Sequence, residues 1–245
     1  MALEIALMIV GFLIFIVGIY ASIVGIWLTI KYFKYNRRQN SAGLTGMEIA
    51  RSILDANGLQ HIKVKRTGSL LFGNSYSHYF KKVRLRGMIR HETSLTSMGM
   101  GAQKAALAIL DKEGDPDMKK RVRLVPLVTF GPFAFIPLLL VGVLIDLFVF
   151  NGISGTWTTV LGAVGLLFYV YSIVLSVATL KTEKKAQARA YEILAHSYGM
   201  KDDELVALKE LFRLYNIQYV NDIILSSLEL LYTVLEIAIA IKRND

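Results

Sequence analysis

The chain contains no cysteine. That excludes disulfides and any thiolate-ligated metal site. Histidine is scarce too: His61, His78, His91 and His196 are the full set. None lies three or four residues from another, so no helix presents a ready pair of imidazoles. Proline is limited to four positions, and three of them, Pro126, Pro132 and Pro137, fall in one apolar stretch. Acids are outnumbered, with 19 Asp+Glu against 28 Lys+Arg, a net charge of +9.

What is abundant is apolar surface. Hydrophobic residues make up 54% of the chain, and the mean hydropathy is +0.46. A soluble domain would have roughly 45–50%. The basic residues flank the apolar runs, so membrane topology explains them better than nucleic acid does, and no stacking-aromatic motif accompanies them.

Four apolar runs organise the chain. Residues 5–30 carry no charge and as a helix would reach about 39 Å, more than a hydrocarbon core of about 30 Å. Glu4 precedes this run and Lys31, Lys34, Arg37 and Arg38 follow it. This is the reverse of a signal peptide, so an uncleaved anchor is expected. The second run, 124–150, carries the three prolines and Asp146; a kinked or broken first half is expected. Asn151-Gly152 and Gly155 mark a turn into the third run, 157–180, which Lys181, Lys184 and Lys185 close. These two runs predict a helical hairpin. The fourth, 223–241, is interrupted by Glu229 and Glu236; it predicts a fourth span, with a buried or interfacial helix as the alternative.

Lys and Arg number 19 in 31–123, 7 in 181–220 and none in 151–156. The positive-inside rule then places 31–123 and 181–220 in the cytoplasm of a multi-pass cell-membrane protein. The expected divisions are an anchor (1–30), a polar cytoplasmic part (31–123), a transmembrane hairpin (124–180), cytoplasmic helices (181–220), and a fourth span with its tail (221–245). The expected fold class is mainly α: a membrane helical bundle of three to four spans with a small α+β cytoplasmic part.

Within 31–123, Thr45 and Glu48 form a capping-box pattern at the head of an amphipathic helix that Asn57-Gly58 stops. Ile62 to Arg66 and Lys82 to Arg86 predict short strands. Thr93 to Leu110 predicts a second helix, rich in small residues, in which Gly99 and Gly101 are packing positions. Gly114-Asp115-Pro116 ends it. Glu183 to Tyr198 and Asp202 to Tyr215 predict two further helices.

Leu44-Thr45-Gly46-Met47-Glu48-Ile49-Ala50, Ile53-Leu54-Asp55-Ala56-Asn57-Gly58-Leu59, His78-Tyr79 shortly before Val83-Arg84-Leu85, and Ser94-Leu95 leading into the small-residue helix together resemble the membrane-embedded neutral zinc metallopeptidases of bacteria (the type 2 zinc peptidases). The proline-broken span and Glu183 just after a span belong to the same likeness, which covers most of the chain. In that family the small-residue helix carries an H-E-x-x-H signature. Two imidazoles on one helix face bind zinc, the Glu takes a proton from zinc-bound water, and a later carboxylate completes the site. The resemblance puts Gln103 at the first His position, Lys104 at the Glu position, Leu107 at the second His position and Glu183 at the third-ligand position.

Gln is a poor zinc ligand, Leu offers no lone pair, and Lys brings positive charge toward a dication. The resemblance therefore implies the fold and argues against the activity, and no cofactor is expected. An ion pair between Lys104 and Glu183 would stand in place of the metal. The alternative is a divergent enzyme with zinc rebuilt on His78, His91 and Glu183. His91-Glu92 begins like the signature, but the i+4 position is Leu95, and a solvated His is expected there.

Asp222, Glu229 and Glu236 recur every seven residues and so share one helix face. A carboxylate at the bilayer centre costs about 2.5–3.5 kcal/mol. The row is expected to make bundle or partner contacts, with an ion pathway through Asp146 as a third reading. The function expected is a catalytically inactive, metallopeptidase-like scaffold or regulatory subunit. Its partners would be membrane lipid and another membrane protein, for example an active peptidase of the same family, and no nucleic acid. A transporter or channel component is the remaining class.

Overall fold

A computed structural model describes residues 1–67, 73–125, 135–150 and 155–244. In chain order the elements are α1 (Ala2–Asn36), α2 (Gly46–Ala56), β1 (Lys63–Arg66), β2 (Ser75–Ser77), β3 (Lys82–Leu85), α3 (Gly87–His91), α4 (Leu95–Glu113), α5 (Pro116–Leu124), α6 (Phe135–Phe148), α7 (Thr156–Ser197) and α8 (Asp202–Asn244). The fold is mainly helical with one small sheet. It forms two compact units. One comprises Met1–Ala21, Arg123–Ala178 and Tyr219–Asp245; the other comprises Ser22–Val122 and Thr179–Gln218.

Among the described residues, three helices are long and apolar enough to cross a membrane: α1, α7, and α8 over Asp202–Ala240. The fourth sequence run thus meets the requirement of length and apolarity. The second run does not, among the described residues. Its helix α6 has 14 residues, or about 21 Å, short of a hydrocarbon core. Pro137 is the third residue of α6, where a missing N–H costs nothing because the first turn has no intrahelical acceptor for it. Pro126, Pro132 and the Asn151-Gly152 turn lie outside the described residues.

In the first unit, α6 and α7 approach closely. A Cβ on Gly142 would collide with the backbone of Trp157 and Thr158. Asp146 caps α7 from across this contact. Its carboxylate accepts from Trp157 N at 3.2 Å, Thr158 N at 2.8 Å and Thr158 Oγ1 at 2.7 Å. These are the free donors of a helix N-terminus, which favour a negative partner.

The second unit holds the apolar core. The Thr45 capping box is formed, and Ile49, Ala50, Ile53 and Leu54 of α2 are buried against α4. The close contact depends on glycine. A Cβ on Gly101 would strike the Gly46 carbonyl, and one on Gly99 would strike Leu208 of α8. Gly114 closes α4 in the left-handed region at φ 72°. The sheet order is β1-β3-β2, with β1 parallel and β2 antiparallel to β3. Val64, Tyr76, Val83 and Leu85 face the core.

Two sequence expectations need correction. The helix expected at Glu183–Tyr198 is the continuation of α7, and that at Asp202–Tyr215 is the first part of α8. A change from apolar to polar residues does not end a helix. Here both helices run on, and neither 180–183 nor 215–223 contains Gly or Pro to interrupt them. The strand β2 and the short helices α3 and α5 were not anticipated.

Candidate functional site

The resemblance points to four positions, and all lie in the second unit. Helix α4 is capped by Ser94, whose side chain accepts from Ser97 N. From there it runs through the core, buried on every side from Leu95 to Leu110. That burial explains its composition: small residues and Met allow neighbours on all faces. Gln103 and Lys104 are nonetheless buried, at 4% and 8% exposure. Each needs a partner, since an unpaired buried amide or ammonium is costly.

Glu183 is that partner. It sits on α7 three residues beyond the apolar run 157–180 and is 4% exposed. Gln103 Nε2 and Lys104 Nζ both donate to Glu183 Oε2 at 2.8 Å. Arg121 on α5 donates from one terminal nitrogen to Glu183 Oε1 at 3.2 Å and to Thr182 Oγ1 at 2.9 Å. Both carboxylate oxygens are therefore engaged by cations. Burial pushes the Glu183 carboxyl up, but Lys104 and Arg121 outweigh it, and the group is held below the usual carboxylate range. Leu107 is fully buried in the apolar core.

The sequence thus foresaw the Lys104–Glu183 pair, and the structure brings Gln103 to the same carboxylate. Arg121 was missed. In the sequence it is one of four cations within five residues, Lys119 to Arg123, and nothing in that run singles it out.

A model of the family described as "Putative neutral zinc metallopeptidase" matches residues 7–238. The chain belongs to this family. It is also 24% identical over 198 residues to the "Putative membrane protease YugP" of Bacillus subtilis (strain 168), covering 81% of this chain and 83% of that relative. No solved structure matches the chain.

For a zinc metallopeptidase family, the donor set here is a poor fit to zinc. A tetrahedral site needs imidazole or carboxylate lone pairs aimed at one point. At positions 103, 104 and 107 this chain presents an amide, an ammonium and an isobutyl group. The remaining carboxylate has both oxygens occupied by cations, and a dication placed beside Lys104 and Arg121 would be repelled by both.

The other histidines lie elsewhere. Among the described residues, no group of three or more His, Asp and Glu side chains is placed to hold a metal ion. His78, His91 and Glu183 are all described, so the structure does not assemble them. His91 ends α3 and is exposed. His78 Nδ1 lies 2.7 Å from Asp111 Oδ2, and Tyr76 donates to the same oxygen at 2.7 Å. Lys81 Nζ stands 3.5 Å from it. This cluster, which the sequence did not disclose, ties the turn between β2 and β3 to the end of α4.

Of the membrane acids, Asp146 is a helix cap, so the structure gives it a role that needs no ion pathway. Glu229 accepts from Tyr169 of α7 at 3.0 Å. Asp222, Glu229 and Glu236 are all exposed on α8.

Proposed function

We propose that this chain is a non-catalytic member of the zinc metallopeptidase family, acting as a membrane scaffold or regulatory subunit. The observation that carries this reading is the capture of Glu183 by Lys104 and Arg121. In an active site the carboxylate would be held ready for a metal. Here it neutralises two buried cations and joins α4, α5 and α7 into one piece. A fold kept without its chemistry retains its surfaces.

The surface we assign to a partner is α8. Glu229 and Glu236 are exposed on a helix apolar enough to span a bilayer. Carboxylates facing lipid are expensive, so a polar or basic helix against them is favoured. Another membrane protein, such as an active peptidase of the same family, has the right chemistry. In this reading residues 31–123 and 181–220 are cytoplasmic, as the excess of Lys and Arg in them favours.

The test is a purification of the tagged full chain in mild detergent, with mass spectrometry of what accompanies it. A defined membrane protein should co-purify in fixed ratio and be lost in Glu229→Gln/Glu236→Gln, while the preparation cleaves no casein or peptide library. Proteolysis abolished by Glu183→Gln and by chelator would make the chain an enzyme and end this reading.

A further inference from the structure

The three-stranded sheet has one apolar face and one basic face. Alternation along the strands sends Val64, Tyr76, Val83 and Leu85 to the core. The residues between them, Lys63 and Lys65 on β1, Lys82 and Arg84 on β3, and Ser75 and Ser77 on β2, form the other face. Register places the cations in direct opposition: Lys63 is paired with Lys82, and Lys65 with Arg84. Like charges directly opposite in a sheet are destabilising. No acid occurs in any of the three strands. Among the described residues, none of these four cations has a salt bridge, although eight of the other Lys and Arg side chains do.

Lys82 stands at the centre of this row, paired with Lys63 across the ladder. Its ammonium is held below the usual lysine value by partial desolvation and then by the charges of Arg84 and Lys65. At the rim, the turn joining β2 to β3 turns Phe80 outward with 68% of its surface exposed. Lys82 Nζ stands 4.4 Å from its ring centre and the Arg84 guanidinium 5.7 Å.

We propose that this face, Lys63, Lys65, Lys82 and Arg84 with Phe80 at its rim, binds the anionic headgroups of a phospholipid surface. Four cations on one face, none with a salt bridge among the described residues, supply the attraction, and an exposed ring beside them suits the boundary between headgroup and acyl chain. A chain with three helices apolar enough to cross a membrane is held where such headgroups are abundant. Single-stranded nucleic acid fits less well. Its readers present stacking aromatics on the sheet itself, and the outward strand residues here are Lys, Arg and Ser. Headgroup binding at this face does not depend on whether the chain is catalytic.

The absence of cysteine makes the test clean. Ser77→Cys places one thiol on the basic face of the full chain, to be labelled with an environment-sensitive fluorophore. The labelled protein is placed in phosphatidylcholine nanodiscs, in discs containing roughly 30% phosphatidylglycerol, and in the former with phosphatidylglycerol vesicles added. A blue shift, with quenching by headgroup-attached spin label, is expected only where phosphatidylglycerol is present. It should vanish in about 0.5 M NaCl and in the variant Lys63→Gln/Lys65→Gln/Lys82→Gln/Arg84→Gln. Phe80→Ser should reduce the shift while leaving the salt dependence. Equal signals with and without phosphatidylglycerol would overturn the proposal. So would a response to a single-stranded oligonucleotide with none to phosphatidylglycerol. Neutralising outward cations relieves repulsion, so the fourfold variant should melt no lower than the parent. Should it unfold, loss of the lipid signal on Lys82→Gln/Arg84→Gln alone carries the decision.

Discussion

Lys104 and Glu183, 79 residues apart in the chain, meet at 2.8 Å inside the second unit, and the same Glu183 oxygen also accepts from the Gln103 amide. Removing one partner from a buried pair leaves an uncompensated charge and costs about 3–5 kcal/mol. Lys104→Met should fall at the low end, because Arg121 still holds the other oxygen. Lys104→Glu should be worse at neutral pH and recover in part at about pH 4, where one of the two adjoining carboxylates takes a proton. Chemical denaturation of Lys104→Met, Glu183→Gln and their combination gives the coupling energy. A coupling near zero would mean the pair is not a unit.

Acid stability should depend on Asp111 and Asp115. Burial pushes the Asp111 carboxyl up, but the Tyr76 hydroxyl, His78 and Lys81 outweigh it and hold it below its usual value. Asp115 is likewise pushed up by burial and brought down further by Lys185 and the Met118 and Asp117 amides. A carboxyl depressed in the folded state adds stability above its unfolded value of about 4, and that stability is lost as pH falls through the lower folded value. Melting temperature should therefore drop between about pH 5 and pH 2, and less steeply in Asp111→Asn. An identical slope in the variant would contradict this.

The α2–α4 contact should tolerate nothing larger than glycine at 101. Gly101→Ala raises helix propensity by about 1 kcal/mol but forces a methyl into the Gly46 carbonyl. Overpacking of this kind costs about 1–3 kcal/mol. A lowered melting temperature is expected, and an increase would show that the helices can part freely.

Loss of the Asp146 cap should loosen the α6–α7 contact. Asp146→Ala leaves the Trp157 and Thr158 amides without their acceptor, at a cost of about 0.5–2 kcal/mol by analogy with helix caps. Asp146→Asn keeps an acceptor and should be milder. Faster amide exchange at 157–158 in nanodiscs would register the difference between them.

Much of this architecture was legible because it rests on local rules. Thr45 with Glu48, Gly114 after α4, and the alternation of Lys82 to Leu85 each specify their conformation through their own chemistry. What was hidden depends on distant partners or on very short segments. Three residues of β2 cannot display a period. Arg121 looks like any surface cation until α5 folds it against Glu183. The continuity of α7 and α8 is masked in the sequence by a change in polarity that leaves the helical backbone unbroken. At the candidate site, the substitutions at 103, 104 and 107 were visible as chemistry. That Glu183 serves two cations could be seen only once α5 and α7 were in place.

The full chain should be purified without chelator, equilibrated with equimolar zinc, passed through a desalting column and measured for zinc per chain, alongside Glu183→Gln. The expected result is far below one zinc per chain, equal in the two proteins. One zinc per chain, lost in Glu183→Gln, would contradict it.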